Sequence, residues 1–315
     1  MRGLDIFSGI GGSSAGARDA GVDMIAAIDM CPLATETYRA NFPTTHVVTS
    51  RLESIDVNRL RRRIGAIDIL LASPECTNHS CAKGAAPRDE ASRATAMYVV
   101  KYARIFKPRW LVLENVVHMR PWSRYDDLKR MLEKLGYNIA EQVLDASDFG
   151  VALSRKRLFI VGDRTRRPKL VGAKRRGRRR TVASVLDPVG RWGTTRLLRR
   201  TRAKATLERA RRGFTALGRS VSFLLVYYGS DGAGGWQPID RPLRTITTID
   251  RFALIQPGRT GPEMRMLQVP ELRRAMGFAE TFSLPVGTRR DRIRLLGNGV
   301  CPPVMKKVVE ALTAD

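Results

Sequence analysis

Cys76 and Glu114 are the residues whose types and positions could do chemistry. The thiol lies in the loop Ser73-Pro74-Glu75-Cys76-Thr77-Asn78-His79-Ser80, directly after an apolar stretch, Ile67–Ala72, that reads as a strand. The carboxylate opens Glu114-Asn115-Val116 at the end of a second such stretch, Trp110–Leu113. Neighbouring strands ending this way would deliver a nucleophile and a proton-handling group to one substrate. A thiol with an ordinary pKa of about 8.5 needs positive charge or helix-end amides nearby to react at neutral pH. Arg155 and Arg157, in Ser154-Arg155-Lys156-Arg157 ahead of the strand Leu158–Val161, are the cations to supply it if the sheet brings them near. Cys76, His79 and Cys81 lie close together, but their irregular spacing and the lack of a fourth ligand nearby argue against a metal, and none is expected.

A second group of residues suits a nucleotide-type ligand. Asp5-Ile6-Phe7-Ser8-Gly9-Ile10-Gly11-Gly12 follows a strand, Gly3–Phe7, and opens a helix, Ser13–Ala20, so that backbone amides can approach a ligand closely. Gly9 and Gly11 fit the dinucleotide fingerprint, but its third glycine position holds Ser14. Asp29 follows the next strand, Met24–Ile28, where it could accept hydrogen bonds from a ribose diol. An adenosyl cofactor without a pyrophosphate suits this pattern better than a dinucleotide does.

These residues need a frame to position them. Strand candidates, with His46–Val48 added to those above, alternate with helix candidates at Ser13–Ala20, Pro32–Asn41, Asp56–Ile64, Ala91–Phe106 and Arg124–Leu135. Continuous rather than alternating apolar strands predict burial on both faces, hence an α/β fold with a mostly parallel sheet wrapped by helices. Ligands in such folds collect at the carboxyl ends of the strands, where the glycine loop, Cys76 and Glu114 all fall. The rhythm breaks after Gly162. Between Arg164 and Arg219 there are twenty Lys and Arg against Asp187 and Glu208 alone, and Arg175-Arg176-Gly177-Arg178-Arg179-Arg180 is the densest run. We read this region as the start of a smaller, basic domain. Arg241–Thr248 then reads as strand-like, and the chain closes with Leu295-Leu296-Gly297-Asn298-Gly299-Val300 and a helix from Pro302 to Leu312.

Size and charge agree with that division. A chain of 315 residues that is 43% apolar can bury one large domain, or a large and a small one. A net charge of +26 predicts attraction to a polyanion, most plainly nucleic acid. Cys31, Cys76, Cys81 and Cys301 show no CxxC spacing, no secretory signal is evident and no apolar run approaches a membrane span. A reducing cytoplasmic setting without membrane attachment is the expectation.

Taken in order, these motifs resemble the C5-cytosine DNA methyltransferase family nearly end to end. Asp5–Gly12 is similar to the family's opening for S-adenosyl-L-methionine (AdoMet), and Asp29-Met30 stands where a ribose- and adenine-contacting pair falls. Ser73–Ser80 resembles the Pro-Cys loop, Glu114-Asn115-Val116 the Glu-Asn-Val motif, and Ser154–Arg157 the latter part of Gln-x-Arg-x-Arg. Arg241–Thr247 and Gly297-Asn298 resemble the last two motifs, with Met266–Phe282 similar to the stretch between them. The chain departs from the pattern at Glu75, where proline is usual, at Thr77 for Gln, at Ala152-Leu153 for Pro-Gln, and at Arg51-Leu52, where an acidic residue often stands.

The resemblance implies a Rossmann-like AdoMet-dependent domain over residues 1–163, a small target-recognition domain over 164–285, and a segment, 286–315, returning to the first. It implies Cys76, Glu114, Arg155 and Arg157 as catalytic residues. It implies AdoMet contacts from Phe7, Ser8, Gly9, Ile10, Gly11, Gly12, Asp29, Met30, Leu52, Pro74, Asn298 and Val300. In this reading Cys76 attacks C6 of a flipped-out cytosine, Glu114 binds its N3/N4 edge, Arg157 contacts O2 and Arg155 supports the cysteine loop. Double-stranded DNA is the implied partner of a monomeric enzyme, with a cognate restriction endonuclease as a further candidate. Two alternatives stand beside it. The tRNA-modifying branch carries a Pro-Pro-Cys-Gln loop and a Cys-Phe-Thr stretch, and neither is found here. A catalytically inactive DNA-binding relative would keep the fold while losing the chemistry at Glu75 and Thr77.

Overall fold

The structure is a computed structural model that describes residues 1–75, 89–172, 179–228 and 234–314. Cys76, His79 and Cys81, with most of the arginine run at 175–180, lie outside the described residues.

Seven strands form the first sheet: β1 (Arg2–Ile6), β2 (Asp23–Asp29), β3 (His46–Thr49), β4 (Ile69–Ala72), β5 (Trp110–Asn115), β6 (Asn138–Asp145) and β7 (Lys156–Asp163). Their order is β3-β2-β1-β4-β5-β7-β6. The first five run parallel, whereas β7 is antiparallel to both β5 and β6. The apolar runs are continuous because each strand feeds two cores. Successive residues of a strand point to opposite faces, so Leu70 and Leu111 enter one apolar cluster while Leu71 and Val112 enter another. Helices α1 (Gly12–Asp19), α2 (Pro32–Asn41) and, at the end of the chain, α10 (Pro302–Thr313) cover one face. Between them in sequence, α3 (Val57–Ile64), α5 (Tyr98–Phe106) and α6 (Tyr125–Lys134) cover the other, and the short α4 (Glu90–Ala94) precedes α5.

Register decides what meets at the functional edge. Ile6 pairs with Ile28 and Ala72, and Ala72 with Leu113, so the parallel strands end level with one another. Strand β7 runs the opposite way and therefore begins at that edge, where Asn115 pairs with Leu158 and Glu114 with Phe159. Reversing one strand is what brings Arg155 and Arg157 beside Glu114.

The basic half holds a second sheet of five strands, β8 (Thr195–Arg196), β9 (Phe223–Val226), β10 (Trp236–Pro238), β11 (Phe252–Gln256) and β12 (Glu263–Met266), ordered β10-β9-β11-β12-β8 and antiparallel throughout. Helix α7 (Lys204–Leu217) lies on one face over Phe223, Leu225, Ala253 and Ile255. Its close approach depends on Gly213, where an added Cβ would stand 2.2 Å from the Phe223 ring. The other face, through Leu224, Val226 and Leu254, shares a core with α8 (Val269–Ala275), α9 (Arg289–Asn298) and α10. A bidentate Arg265–Glu271 pair, at 2.7 and 2.8 Å, ties β12 to α8 inside that core.

Three expectations change. Arg241–Thr248 is not a strand among the described residues; only Leu243 bridges, to Leu153. Pro242 lacks an N–H, and its carbonyl accepts from Gln237 Nε2, so the segment is held by side chains and by Ala152–Ser154. The helix expected over Ala91–Phe106 is interrupted by a 3₁₀ turn, Thr95–Met97, between α4 and α5. Strand β6 and helix α7 were not anticipated: β6 is a half-buried edge strand without an apolar run, and α7 is masked by its arginines.

Candidate active site

The glycine loop is shaped by its backbone. Phe7 adopts φ 56°, a left-handed conformation unusual for an aromatic residue, which turns the chain sharply at the end of β1. Ser8 N–H then donates to Ile28 O at 3.0 Å, and Gly9 N–H to Asp29 Oδ2 at 2.8 Å. The second Asp29 oxygen accepts from Cys31 N–H, also at 2.8 Å. Asp29, expected to accept from a ribose diol, thus also clamps the glycine loop. Burial raises its pKa even though these N–H donors pull the other way.

Gly12 lets the end of the chain reach the loop: a Cβ there would stand 2.3 Å from the Val300 carbonyl. Ile10 and Gly11 were expected at the cofactor but do not face the cleft. Ile10 is buried in the core, and Gly11 turns the chain at φ 93° against the Phe42 and Tyr38 rings. Beneath the loop, Tyr38 Oη donates to Ser14 Oγ at 2.7 Å, and Ser14 Oγ to Asp5 Oδ2 at 2.6 Å. Burial, the dominant cause, pushes the Asp5 carboxyl up to about 7.

Glu114, next to last in β5, is almost wholly buried. Its Oε1 stands 3.2 Å from Arg157 Nε. Loss of hydration raises its pKa, and the charges of Arg157 and Arg155 oppose that rise without cancelling it. Asn115 next to it donates from Nδ2 to the Pro74 carbonyl at 3.1 Å, joining the β5 end to the cysteine loop. Ser73 is held from the other side by Ser13 Oγ at 3.2 Å. Arg155, expected to support the cysteine loop, is a buried staple. It donates from Nη1 to Ile246 O and from Nη2 to Gly297 O and Gly299 O, at 2.9–3.2 Å. What it offers Cys76 lies outside the described residues.

All these elements border one cleft of about 1070 Å³. Phe7, Ser8, Gly9 and Gly12 line it from the glycine loop, and Asp29, Met30 and Leu52 from the next two strand ends. Pro74, Glu114, Arg155 and Arg157 line it from the ends of β4 and β5 and the start of β7, and Asn298 and Val300 close it from the C-terminal segment. That volume is at the upper end for small-molecule sites, enough for a nucleoside cofactor and a base together. The fit to such a cofactor has a mark of its own. Ser8 Oγ is buried at the cleft wall with no hydrogen-bond partner among the described residues, and a ligand's polar group would satisfy it. Sequence reasoning missed the wall formed by Ser92, Tyr98 and Lys101. The helix itself was expected from Ala91, and Asp89 caps its start through Ala91 N–H, but nothing in the sequence signals that it borders the cleft.

A profile described as C-5 cytosine-specific DNA methylase matches residues 1–314. Among curated proteins, the Type II methyltransferase M.DdeI of Desulfomicrobium norvegicum is 31% identical over 52% of this chain. M.HgiDI of Herpetosiphon aurantiacus is 32% identical, also over 52%. The matches cover 41% and 52% of those relatives' own lengths, so the chain aligns with about half of each or less. The fold extends further: the Entamoeba histolytica methyltransferase EhMeth superposes with a TM-score of 0.72 at 17% identity, covering 99% of this chain and 97% of that one.

Proposed function

Because the chain belongs to the C-5 cytosine-specific DNA methylase family, we propose that it transfers a methyl group from AdoMet to C5 of cytosine in double-stranded DNA. The observation that carries this reading is the Glu114–Arg157 pair, opening on the same cleft as the glycine loop and the Asn298–Val300 segment.

AdoMet, when bound, supplies an electrophilic methyl on its sulfonium. Phe7, Ser8, Asp29 and Asn298 are the residues to hold it, with Ser8 Oγ available to its polar groups. The target base must leave the duplex, since C5 and C6 are out of reach within the stack. Cys76, one peptide bond beyond the cleft-lining Glu75, attacks C6 as the thiolate and leaves C5 electron-rich. Glu114 stabilises that charge by protonating N3, a task for which its raised pKa suits it. Arg157 holds the Glu114 carboxyl in place and offers its remaining donors to the base O2. Loss of the C5 proton after methylation expels the Cys76 thiolate and restores the aromatic ring. The basic region from Arg164 onward supplies phosphate contacts, and its antiparallel sheet with the neighbouring loops reads the sequence. Within this proposal, residues 1–163 form the catalytic unit, 164–285 the recognition unit and 286–315 the returning segment.

The test is transfer of labelled methyl from AdoMet to duplex DNA and, side by side, to tRNA. We expect label at C5 of cytosine in the DNA and none with Cys76→Ala. DNA carrying 5-fluorocytosine should trap a stable protein adduct. Labelling of tRNA alone would move the substrate to RNA, and absence of both label and adduct would leave a DNA-binding relative without the chemistry.

A further inference from the structure

Helix α4 has little of the burial that fixes the other walls of the cleft, with Ala94 alone resting against the core. Its five residues include no buried side chain, yet Ala91, Ser92 and Ala94 line the cavity. Its C-terminal end is anchored where the chain runs on into the buried Ala96 of the 3₁₀ turn, but a helix this short does not stand by intrinsic propensity, so the set of its N-terminal part depends on polar tethers. Two are seen among the described residues, one at its first residue and one at its middle. Trp122 Nε1 donates to Glu90 Oε1 at 2.7 Å, holding the outer end to the α6 side of the sheet. Ser92 Oγ donates to Glu75 Oε2, also at 2.7 Å, holding the middle of the helix to the segment that leaves β4. That segment is itself fixed, through Asn115 to the Pro74 carbonyl and Ser13 to Ser73.

We infer that the Glu75–Ser92 bond is a positioning device for the cofactor. It spans from the end of β4 to α4 and sets how closely the α4 wall, with Thr95, Tyr98 and Lys101 behind it, stands to the glycine loop. Glu75 takes no part in bond making. Its carboxylate accepts a hydroxyl proton and so fills a role that an apolar or cyclic residue at this position could not perform. The inference rests on AdoMet being the ligand of the cleft.

The test is equilibrium binding of AdoMet by calorimetry without DNA, so that no step involving Cys76 enters. Glu75→Ala and Ser92→Ala should each weaken binding by about three- to tenfold, the net worth of one solvent-exposed hydrogen bond. The double variant should bind no worse than either single one, because both remove the same bond. Glu75→Gln keeps an acceptor oxygen, and Ser92→Thr keeps the hydroxyl, so both should bind close to wild type. Amide exchange over residues 90–97 of the ligand-free protein should quicken in the two alanine variants and not in the conservative ones. If the alanine variants bind like wild type, or their losses simply add, the tether has no such role and the function proposed above is untouched. A wild-type chain that binds no AdoMet overturns both.

Discussion

Glu114 lies between two opposing influences whose outcome decides how it works. Guanidinium groups favour the carboxylate, but burial at the end of β5 removes the water that would solvate it, and the pKa rises. The protonated form is the useful one if N3 must receive a proton. Activity should therefore fall as pH rises through the Glu114 pKa, while ionisation of the thiol makes it climb from the acid side. Glu114→Gln should lower the rate of methyl transfer by about 10²- to 10⁴-fold. It should also leave a pH profile with only the rising limb, while calorimetry shows AdoMet still bound. Asp5 obeys the same arithmetic with a stability readout. Its folded pKa of about 7 exceeds the unfolded value near 4, so the folded state holds a proton that the unfolded chain has released. Stability owed to this group is full below about pH 4 and is lost by about pH 7. Asp5→Asn should remove that slope, so that urea unfolding at pH 8 and pH 5 differs by about 2–4 kcal/mol less than in wild type.

The C-terminal segment reaches the site because one helix pair packs without side chains between its backbones. An added Cβ at Gly16 of α1 would stand 2.3 Å from the Pro302 carbonyl and 2.7 Å from Met305 Cβ on α10. Gly16→Ala gains helix propensity of about 1 kcal/mol but overpacks this contact by about 1–3 kcal/mol. The expected result is a melting temperature lower by a few degrees, with weaker AdoMet binding as Asn298 and Val300 are pushed from the loop. Elements like these differ in how plainly the sequence announces them. Strands β1, β2, β4, β5 and β7 were legible because burial on two faces demands unbroken apolar runs such as Ile69–Ala72. The half-buried β6 and the arginine-covered α7 carry no such run. Most of the cleft was legible through the strand ends. Residues that reach it by packing were not, because Ser92 and Lys101 depend on how α4 and α5 lie against the sheet. Ile10 and Gly11 differ from their motif neighbours: the turn that sets Ser8 and Gly9 along the cleft places these two toward the core.

Charge is the property that only the full assembly of elements explains. A net +26 is a cost to the compact state and is tolerable where a polyanion offsets it. The excess sits in the basic half, where part of it is neutralised internally: Arg211 and Arg212 pair with Glu208, and Arg274 with Asp187. Arg199 and Arg200 differ from these. They follow β8 on an exposed turn, and neither side chain pairs with an acid among the described residues. They are thus available to phosphates, and each phosphate neutralised releases counterions, which steepens the fall of affinity with salt by about 0.9 in the log–log slope. Removing both, as Arg199→Ala with Arg200→Ala, should reduce the slope for duplex binding by about 1–2. Affinity at low salt should drop alike for specific and non-specific sequences, since phosphate contacts carry no base readout. Fluorescence anisotropy across a salt series measures both quantities. An unchanged slope would place the DNA on another face of the basic half, whereas a loss confined to one sequence would make these arginines base readers instead.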